Sequence, residues 1–121
     1  MILPLLMLIA APGDCDTDAP QQVLNQCLAE AFTGADAELN RVWKPAYAEM
    51  QRVDRDTGET GYAAALLASQ RAWIAYRDAQ CVAESWQMRG GSGEAMLLSG
   101  CKLRLTRERV EFLRGIGENN Q

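Results

Sequence analysis

The stretch Gln70-Arg71-Ala72-Trp73-Ile74-Ala75-Tyr76-Arg77-Asp78-Ala79-Gln80-Cys81 decides the fold of this chain. Residues three and four positions apart share one face of a helix. Applied here, that spacing gives a stripe made of Leu66, Gln70, Trp73, Arg77 and Cys81. A buried amide costs free energy unless it is hydrogen-bonded, and a buried charge costs more unless it is paired. The stripe therefore predicts that Gln70 and Arg77 have partners elsewhere in the chain.

Length and composition indicate one globular domain with a net negative charge. The 121 residues are 48% hydrophobic and 23% charged, and the formal net charge is −4. This charge disfavours nucleic acid, which needs clustered Lys and Arg, and it suits a cationic protein partner. The sequence has no His, the commonest general base and the usual transition-metal ligand. We therefore predict no catalytic residues, no metal ligands, no cofactor and no enzymatic activity.

The N-terminal segment is apolar and short. Residues 1–11 contain no charge, and the only interruption is Pro4. A membrane-spanning helix needs about 20 such residues, whereas a secretory signal needs fewer and ends in small residues. We expect residues 1–13 to be a cleaved signal peptide and the protein to be periplasmic or secreted; the alternative is a short N-terminal core helix. Pro12-Gly13-Asp14 before Cys15 is a poor lipid-attachment site, so no firm membrane anchor is predicted.

Helical periodicity covers most of the remaining chain. It predicts helices at about residues 21–53, 62–86 and 95–114, separated by Gly-containing connections. We expect an all-α, three-helix antiparallel bundle over residues 14–117, with a frayed C-terminus at 118–121. Thr33-Gly34-Ala35-Asp36 looks like a new capping box, so the first helix is expected to break near Thr33. Pro45 is expected to kink it.

Antiparallel neighbours allow heights in the bundle to be matched by counting outward from each turn. With the first turn near residue 57, Arg77 lies level with Asp36 and within one turn of Asn40. With the second turn near residue 91, Arg77 lies close to Thr106. We predict a core polar network in which Arg77 pairs with Asp36, while Gln70, Asn40 and Thr106 satisfy the remaining donors and acceptors.

The same residues allow a catalytic interpretation, in which Asp36 and Asp78 act as paired carboxylates. Asp36 is already assigned to Arg77, and Asp78 is expected to point to the opposite flank of its helix. A structural core network is therefore favoured over an active site. Trp43 and Trp73 are predicted to be core aromatics on the same reasoning.

The four cysteines allow two disulfides in three connectivities. Counting places Cys81 level with Cys101, which leaves Cys15 to pair with Cys27. The alternative, Cys27–Cys81 with Cys15–Cys101, also has matching heights and stays open. Either set agrees with an exported protein, because disulfides persist in oxidising compartments.

Several of these segments together resemble a known family. They are Ala35-Asp36-Ala37-Glu38-Leu39-Asn40, the stretch from Gln70 to Cys81, Gly91-Ser92, and Cys101 with Thr106 and Arg107. They are similar to the small exported bacterial domain typified by the LprI lysozyme inhibitor, most of whose members are uncharacterised. The resemblance spans roughly residues 15–113. The chain departs from the usual pattern at Trp43 and Pro45, a difference that can reshape a surface.

The resemblance implies a protein that binds and blocks a lysozyme-like muramidase. Such enzymes hold two catalytic carboxylates in a cleft, and a protruding loop with hydrogen-bond donors can occupy it. The loop after the central helix supplies three candidate partner-binding residues: Trp86, Arg89 and Ser92. The alternative for this loop is a plain solvated connection. The alternative for the protein is a non-enzymatic structural or interaction module of the bacterial envelope.

Overall fold

A computed structural model of the protein describes residues 15–118. Three helices follow one another, α1 (Gln21–Thr57), α2 (Tyr62–Ser85) and α3 (Gly93–Glu118), with a short 3₁₀ turn at Trp86–Met88. No strand occurs between residues 15 and 118, so the predicted all-α bundle is confirmed. Within the same range, no helix is long and apolar enough to cross a membrane.

Two predicted boundary features concern the ends of the chain. The expected signal segment, residues 1–13, lies outside the described residues, as do residues 119–121. Glu118, which was expected to fray, is the last residue of α3. The third helix is therefore longer than the periodicity predicts at both of its ends.

Helix α1 continues through Thr33, so the break expected there is wrong. Thr33 Oγ1 donates a hydrogen bond of 3.1 Å to the backbone carbonyl of Ala29, one turn earlier in the same helix. Ala31 and Leu39, on either side of Thr33, are buried. Most helix stability in proteins comes from packing an apolar face, and here that packing outweighs the local capping signal.

Pro45 lies inside α1 and does not end the helix. A proline cannot donate the backbone hydrogen bond that the carbonyl four residues earlier would accept. Here that residue is Arg41, whose side chain is exposed. The proline ring lies against α3, where a Cβ added to Gly117 would come within 3.3 Å of Pro45 Cβ. Gly117 thus permits the close approach of α3 to α1 at this point.

The turn between α1 and α2 is fixed by one glycine and one carboxylate. Gly58 ends α1 with φ 72°, the left-handed conformation that favours glycine. Asp54 then accepts hydrogen bonds from the backbone N–H groups of Tyr62 (2.9 Å) and Ala63 (3.2 Å). Because these groups begin α2, a side chain of the first helix caps the second.

The apolar core lies where all three helices meet. Its central buried residues are Leu39, Val42, Ala46, Leu66, Val110 and Leu113. Helices α1 and α3 share the most extensive interface, and α2 packs against both. Trp43 and Trp73 are half-buried and pack against this core, where the sequence places them.

The two disulfides are Cys15–Cys27 and Cys81–Cys101. This confirms the first of the two pairings that counting allowed, and the alternative is wrong. Cys81 and Cys101 are level across α2 and α3, with Cα atoms 5.4 Å apart, and both are buried. Cys15 joins the segment before α1 to the second turn of that helix.

A buried arginine is held by groups from all three helices. The Arg77 side chain is only 9% exposed. Its Nη1 lies 3.2 Å from Asp36 Oδ1 on α1 and 3.3 Å from Thr106 Oγ1 on α3. Its Nε lies 3.0 Å from Asp78 Oδ1 on α2. The guanidinium carbon also lies 5.3 Å from the Trp73 ring centroid, within cation–π range.

Three details of this network differ from the sequence expectation. Gln70 accepts a hydrogen bond from Arg109 Nε at 2.8 Å, so its partner is a different arginine. Asn40 is exposed, because it follows the buried Leu39 and a step of about 100° turns it away from the core. Asp78 contacts Arg77 although it was expected to point to the opposite flank.

Arginine–carboxylate pairs connect the helices at their surfaces and lower the pKa of two glutamate side chains. Glu84 of α2 accepts from Gln80 and from Arg104 of α3, and these contacts lower its pKa below the ordinary 4.5. Glu38 of α1 accepts from Arg41 and from Arg114 of α3, with the same effect on its pKa. In their charged form, both carboxylates therefore stabilise the folded state.

Removing the disulfide between α2 and α3 should lower stability more than removing the other. We expect the Cys81→Ser/Cys101→Ser variant to lose about 2–4 kcal/mol of unfolding free energy, because the bridge closes the longer loop and both cysteines are buried. Urea denaturation measures this loss of unfolding free energy. The matched control, Cys15→Ser/Cys27→Ser, should lose less, and an equal or larger loss in the control would contradict the prediction.

Arg77→Lys should destabilise the bundle by about 1–3 kcal/mol, because one ammonium group cannot replace hydrogen bonds that leave the guanidinium from two different nitrogens. Thermal and urea unfolding measure the change. Arg71→Lys is the matched control, since Arg71 lies on the same helix and is exposed. Equal stability of the Arg77→Lys variant and the wild type would show that the network carries no net stabilisation.

Acid should destabilise the protein below about pH 4.5. The Glu38 and Glu84 pKa values are lowered on folding, so the unfolded chain binds more protons in this range. The stabilisation is therefore present at neutral pH and is lost as pH falls towards the folded-state values. Melting temperatures measured from pH 7 to pH 3 test this. Because these pairs lie near the surface, the slope should flatten in 1 M salt.

Candidate functional site

The connection between α2 and α3 forms one exposed end of the bundle. It consists of the 3₁₀ turn Trp86–Met88 followed by residues 89–92. Gly90 has φ 83°, so a glycine suits the turn at this point. A Cβ on Gly93 would come within 2.7 Å of Met88 Sδ, so the flexible end of the Met88 side chain would have to move. Gly90 is therefore the position at which the backbone of the loop favours glycine.

Trp86 and Arg89 form a stacked pair on this loop. Trp86 is 55% exposed, and the Arg89 guanidinium carbon lies 4.1 Å from its ring centroid. Among the described residues Arg89 makes no ion pair, so its donors face solvent. Met88 adds a second exposed apolar side chain beside them. The pair presents a cation on an aromatic surface.

Ser92 is tied to the start of α1. Its backbone carbonyl accepts a hydrogen bond of 3.0 Å from Asn25 Nδ2. Asn25 Oδ1 in turn accepts from Gln21 Nε2 at 2.7 Å. This chain holds the end of the loop against α1, while Ser92 itself is exposed. The three residues predicted to bind a partner thus lie in one short, anchored segment.

A concave surface lies elsewhere, between α1 and α3. This groove has a volume of about 570 Å³ and is lined by Ala31, Gly34, Ala35, Glu38, Arg41, Arg107, Val110, Glu111 and Arg114. Sequence reasoning missed it. The available signal was the set of small residues Ala31, Gly34 and Ala35, of which Gly34 and Ala35 were interpreted as part of a helix break. In an unbroken helix the same small residues leave a depression.

Two carboxylates and two of the three arginines that line the groove pair with one another, whereas Arg107 makes no ion pair among the described residues. Glu38 pairs with Arg41 and, at 3.3 Å, with Arg114. Arg114 Nε also lies 3.6 Å from Glu111. Between residues 15 and 118, no group of three or more His, Cys, Asp or Glu side chains could hold a metal ion.

The polar network predicted as a core feature is separate from this loop. In this network Arg77 donates hydrogen bonds to Asp36 and to Thr106, and Arg109 donates one to Gln70. Arg77, Gln70 and Thr106 are buried, so they are not available to a ligand at the surface. The residues offered for partner binding are Trp86, Arg89 and Ser92, all exposed at the loop.

Two curated proteins are similar to this chain in sequence. A protein 41% identical over 129 aligned positions, the uncharacterised protein R02472 of Rhizobium meliloti (strain 1021), matches 97% of this chain and 93% of its own length. The uncharacterised protein YecT of Escherichia coli (strain K12) is 35% identical over 82 residues, covering 60% of this chain and 50% of YecT. No solved structure matches significantly.

The family comparison covers nearly all of the described fold. The model of the family described as lysozyme inhibitor LprI matches residues 14–113. The matched range takes in both disulfides, the buried arginine network, the loop and most of α3. The chain therefore belongs to the LprI lysozyme inhibitor family.

Proposed function

We propose that this protein is an exported envelope protein that binds and blocks a lysozyme-like muramidase through the loop after α2. The observation that carries the proposal is the exposed Arg89 side chain stacked at 4.1 Å on the exposed Trp86. Membership of the LprI family supports it, since the family is described by lysozyme inhibition. The two disulfides support export to an oxidising compartment.

The loop carries groups suited to an active-site cleft. Muramidases of this type hold a pair of carboxylates, and a guanidinium can donate two parallel hydrogen bonds to one carboxylate. In the proposed complex Arg89 supplies this contact and Ser92 supplies a hydroxyl donor. Trp86 supplies apolar contact area, since Trp and Arg are the residues that most often dominate binding energy at interfaces.

The anchoring of the loop favours tight binding. Asn25 holds the Ser92 carbonyl at one end, and the Cys81–Cys101 disulfide holds the two helices that the loop connects. A loop that is already ordered loses less conformational entropy when it binds. The net charge of −4 would also attract a cationic enzyme and increase the association rate.

Inhibition of peptidoglycan lysis tests the proposal directly. We expect the oxidised protein to inhibit chicken-type lysozyme in a dose-dependent manner, and Arg89→Ala to raise the inhibition constant at least about 10-fold. Arg55→Ala is the matched control, because Arg55 is also exposed but lies at the far end of α1. Absence of inhibition and of binding, with goose-type and phage-type enzymes also tested, would refute the proposal.

A second candidate is an interaction module of the envelope with no muramidase target. The groove between α1 and α3 favours it, because this concave surface lies apart from the loop. A protein that binds no muramidase but is retained by an envelope complex would support this alternative. The Gly34→Leu variant fills the groove with a larger side chain. If the complex no longer retains this variant, the groove is the surface that contacts the complex.

A further inference from the structure

Helix α2 buries one face and leaves the opposite face uncovered. Its buried residues are Ala63, Leu66, Gln70, Arg77, Cys81 and Ser85. The uncovered face, here called the outer face of α2, consists of exposed residues of the helix and of Trp86 directly after it: Ala64, Ala65, Ala68, Ala72, Ala75, Ala79, Val82, Ala83 and Trp86. At 100° per residue these positions fall within an arc of about 100°. None of them carries a charge, although the protein as a whole is 23% charged.

Helix propensity alone does not explain this face. Alanine favours helix at any exposed position, so the alanines by themselves indicate no partner. Val82 is 48% exposed, Trp86 is 55% exposed, and Tyr76 at the edge of the face is 54% exposed. Large apolar side chains that form a continuous exposed surface with small ones mark an interaction site.

We propose that a second copy of this chain covers the outer face of α2 in an antiparallel, two-fold symmetric pair centred near Ala75. Two-fold symmetry places each residue that precedes Ala75 opposite the residue of the second copy that follows Ala75 by the same number of positions. Ala75 then meets Ala75 of the second copy, where small side chains allow the helices to approach closely. Ala68 faces Val82 of the second copy, so that a small side chain lies opposite a large one.

Charges beside the outer face favour a second copy over other partners. Arg71 and Asp78 lie on the same flank of α2, almost equally far from Ala75 on opposite sides. The two-fold axis brings this flank next to the same flank of the second copy, so each Arg71 lies near Asp78 of the other chain. Asp78 is 51% exposed on its side chain, and Arg77 bonds only its Oδ1, which leaves Oδ2 for the new contact.

The other flank of α2 carries no charged residue of its own, only Tyr76, Ser69 and Gln80. Arg109 of α3 donates a hydrogen bond of 2.9 Å to Ser69 Oγ. In the pair, Ser69 of one copy and Ser69 of the other lie about 18 Å apart along the helices, so the two Arg109 side chains stay apart. Two symmetric Arg71–Asp78 contacts form on the opposite flank.

The size of the face limits the strength of the pair. From Ala64 to Ala83 the helix is about 30 Å long, and a helix is about 10 Å wide. This footprint, roughly 300 Å², is smaller than the area that a standard stable interface covers. We therefore expect a reversible dimer with a dissociation constant on the order of 10–100 µM.

Sedimentation equilibrium of the oxidised protein tests the dimer without any muramidase, so its failure is distinguishable from failure of the proposed function. Wild type should change from monomer to dimer over this concentration range. Ala75→Glu and Arg71→Glu should each weaken association at least 10-fold, because like charges then face each other. The matched controls on α1, Ala48→Glu and Arg55→Glu, alter exposed residues away from α2 and should associate as wild type does.

Crosslinking tests the orientation. Ala75→Cys, treated with a short bismaleimide after folding, should form a covalent dimer, whereas Ala48→Cys should not. A protein that stays monomeric at 500 µM would overturn the proposal, as would a dimer that Ala75→Glu leaves intact. Binding of a muramidase that is lost in Ala75→Glu, with no self-association of the wild type, would assign the face to that partner instead. Circular dichroism establishes that each variant is folded.

Discussion

The position of Arg77 is the constraint on which the rest of this structure depends. A guanidinium that is only 9% exposed cannot rely on water, so the protein must supply its acceptors. Asp36 comes from α1 and Thr106 from α3, while Asp78 lies next to Arg77 on α2 itself. All three helices must therefore be in one relative register, because sliding any of them by a turn would remove an acceptor from the charge.

The same register determines what appears at the surface. Cys81 lies one turn beyond Arg77 on α2, which places it level with Cys101 and allows the disulfide between α2 and α3. The chain then leaves α2 within two turns, and the loop with Trp86 and Arg89 projects from this fixed base. The interior network therefore determines where the loop lies, by holding the helices that present it.

Sequence reasoning determined the heights of residues along the bundle better than their rotation about each helix axis. Counting from the turns paired Arg77 with Asp36, and it allowed Cys81–Cys101 beside a second connectivity whose heights also matched; the structure has Cys81–Cys101. Counting failed for Asn40, which has the correct height but points to solvent. It also missed Arg109, because the partner that satisfies Gln70 depends on how α3 is rotated against α2. The unbroken helix at Thr33 was missed because packing against α3 is not visible in a local motif.

Membership of the family and identity of the target are supported by different residues. The motif that carries the resemblance, from Gln70 to Cys81, contributes Arg77, Gln70 and Cys81 to the interior. Those residues stabilise the fold, whereas a partner can contact only what is exposed. The exposed features are the Trp86–Arg89 pair, the groove beside Gly34 and the outer face of α2. Because the interior can stay constant while each of these surfaces changes, the target of this protein has to be assigned from its surface residues.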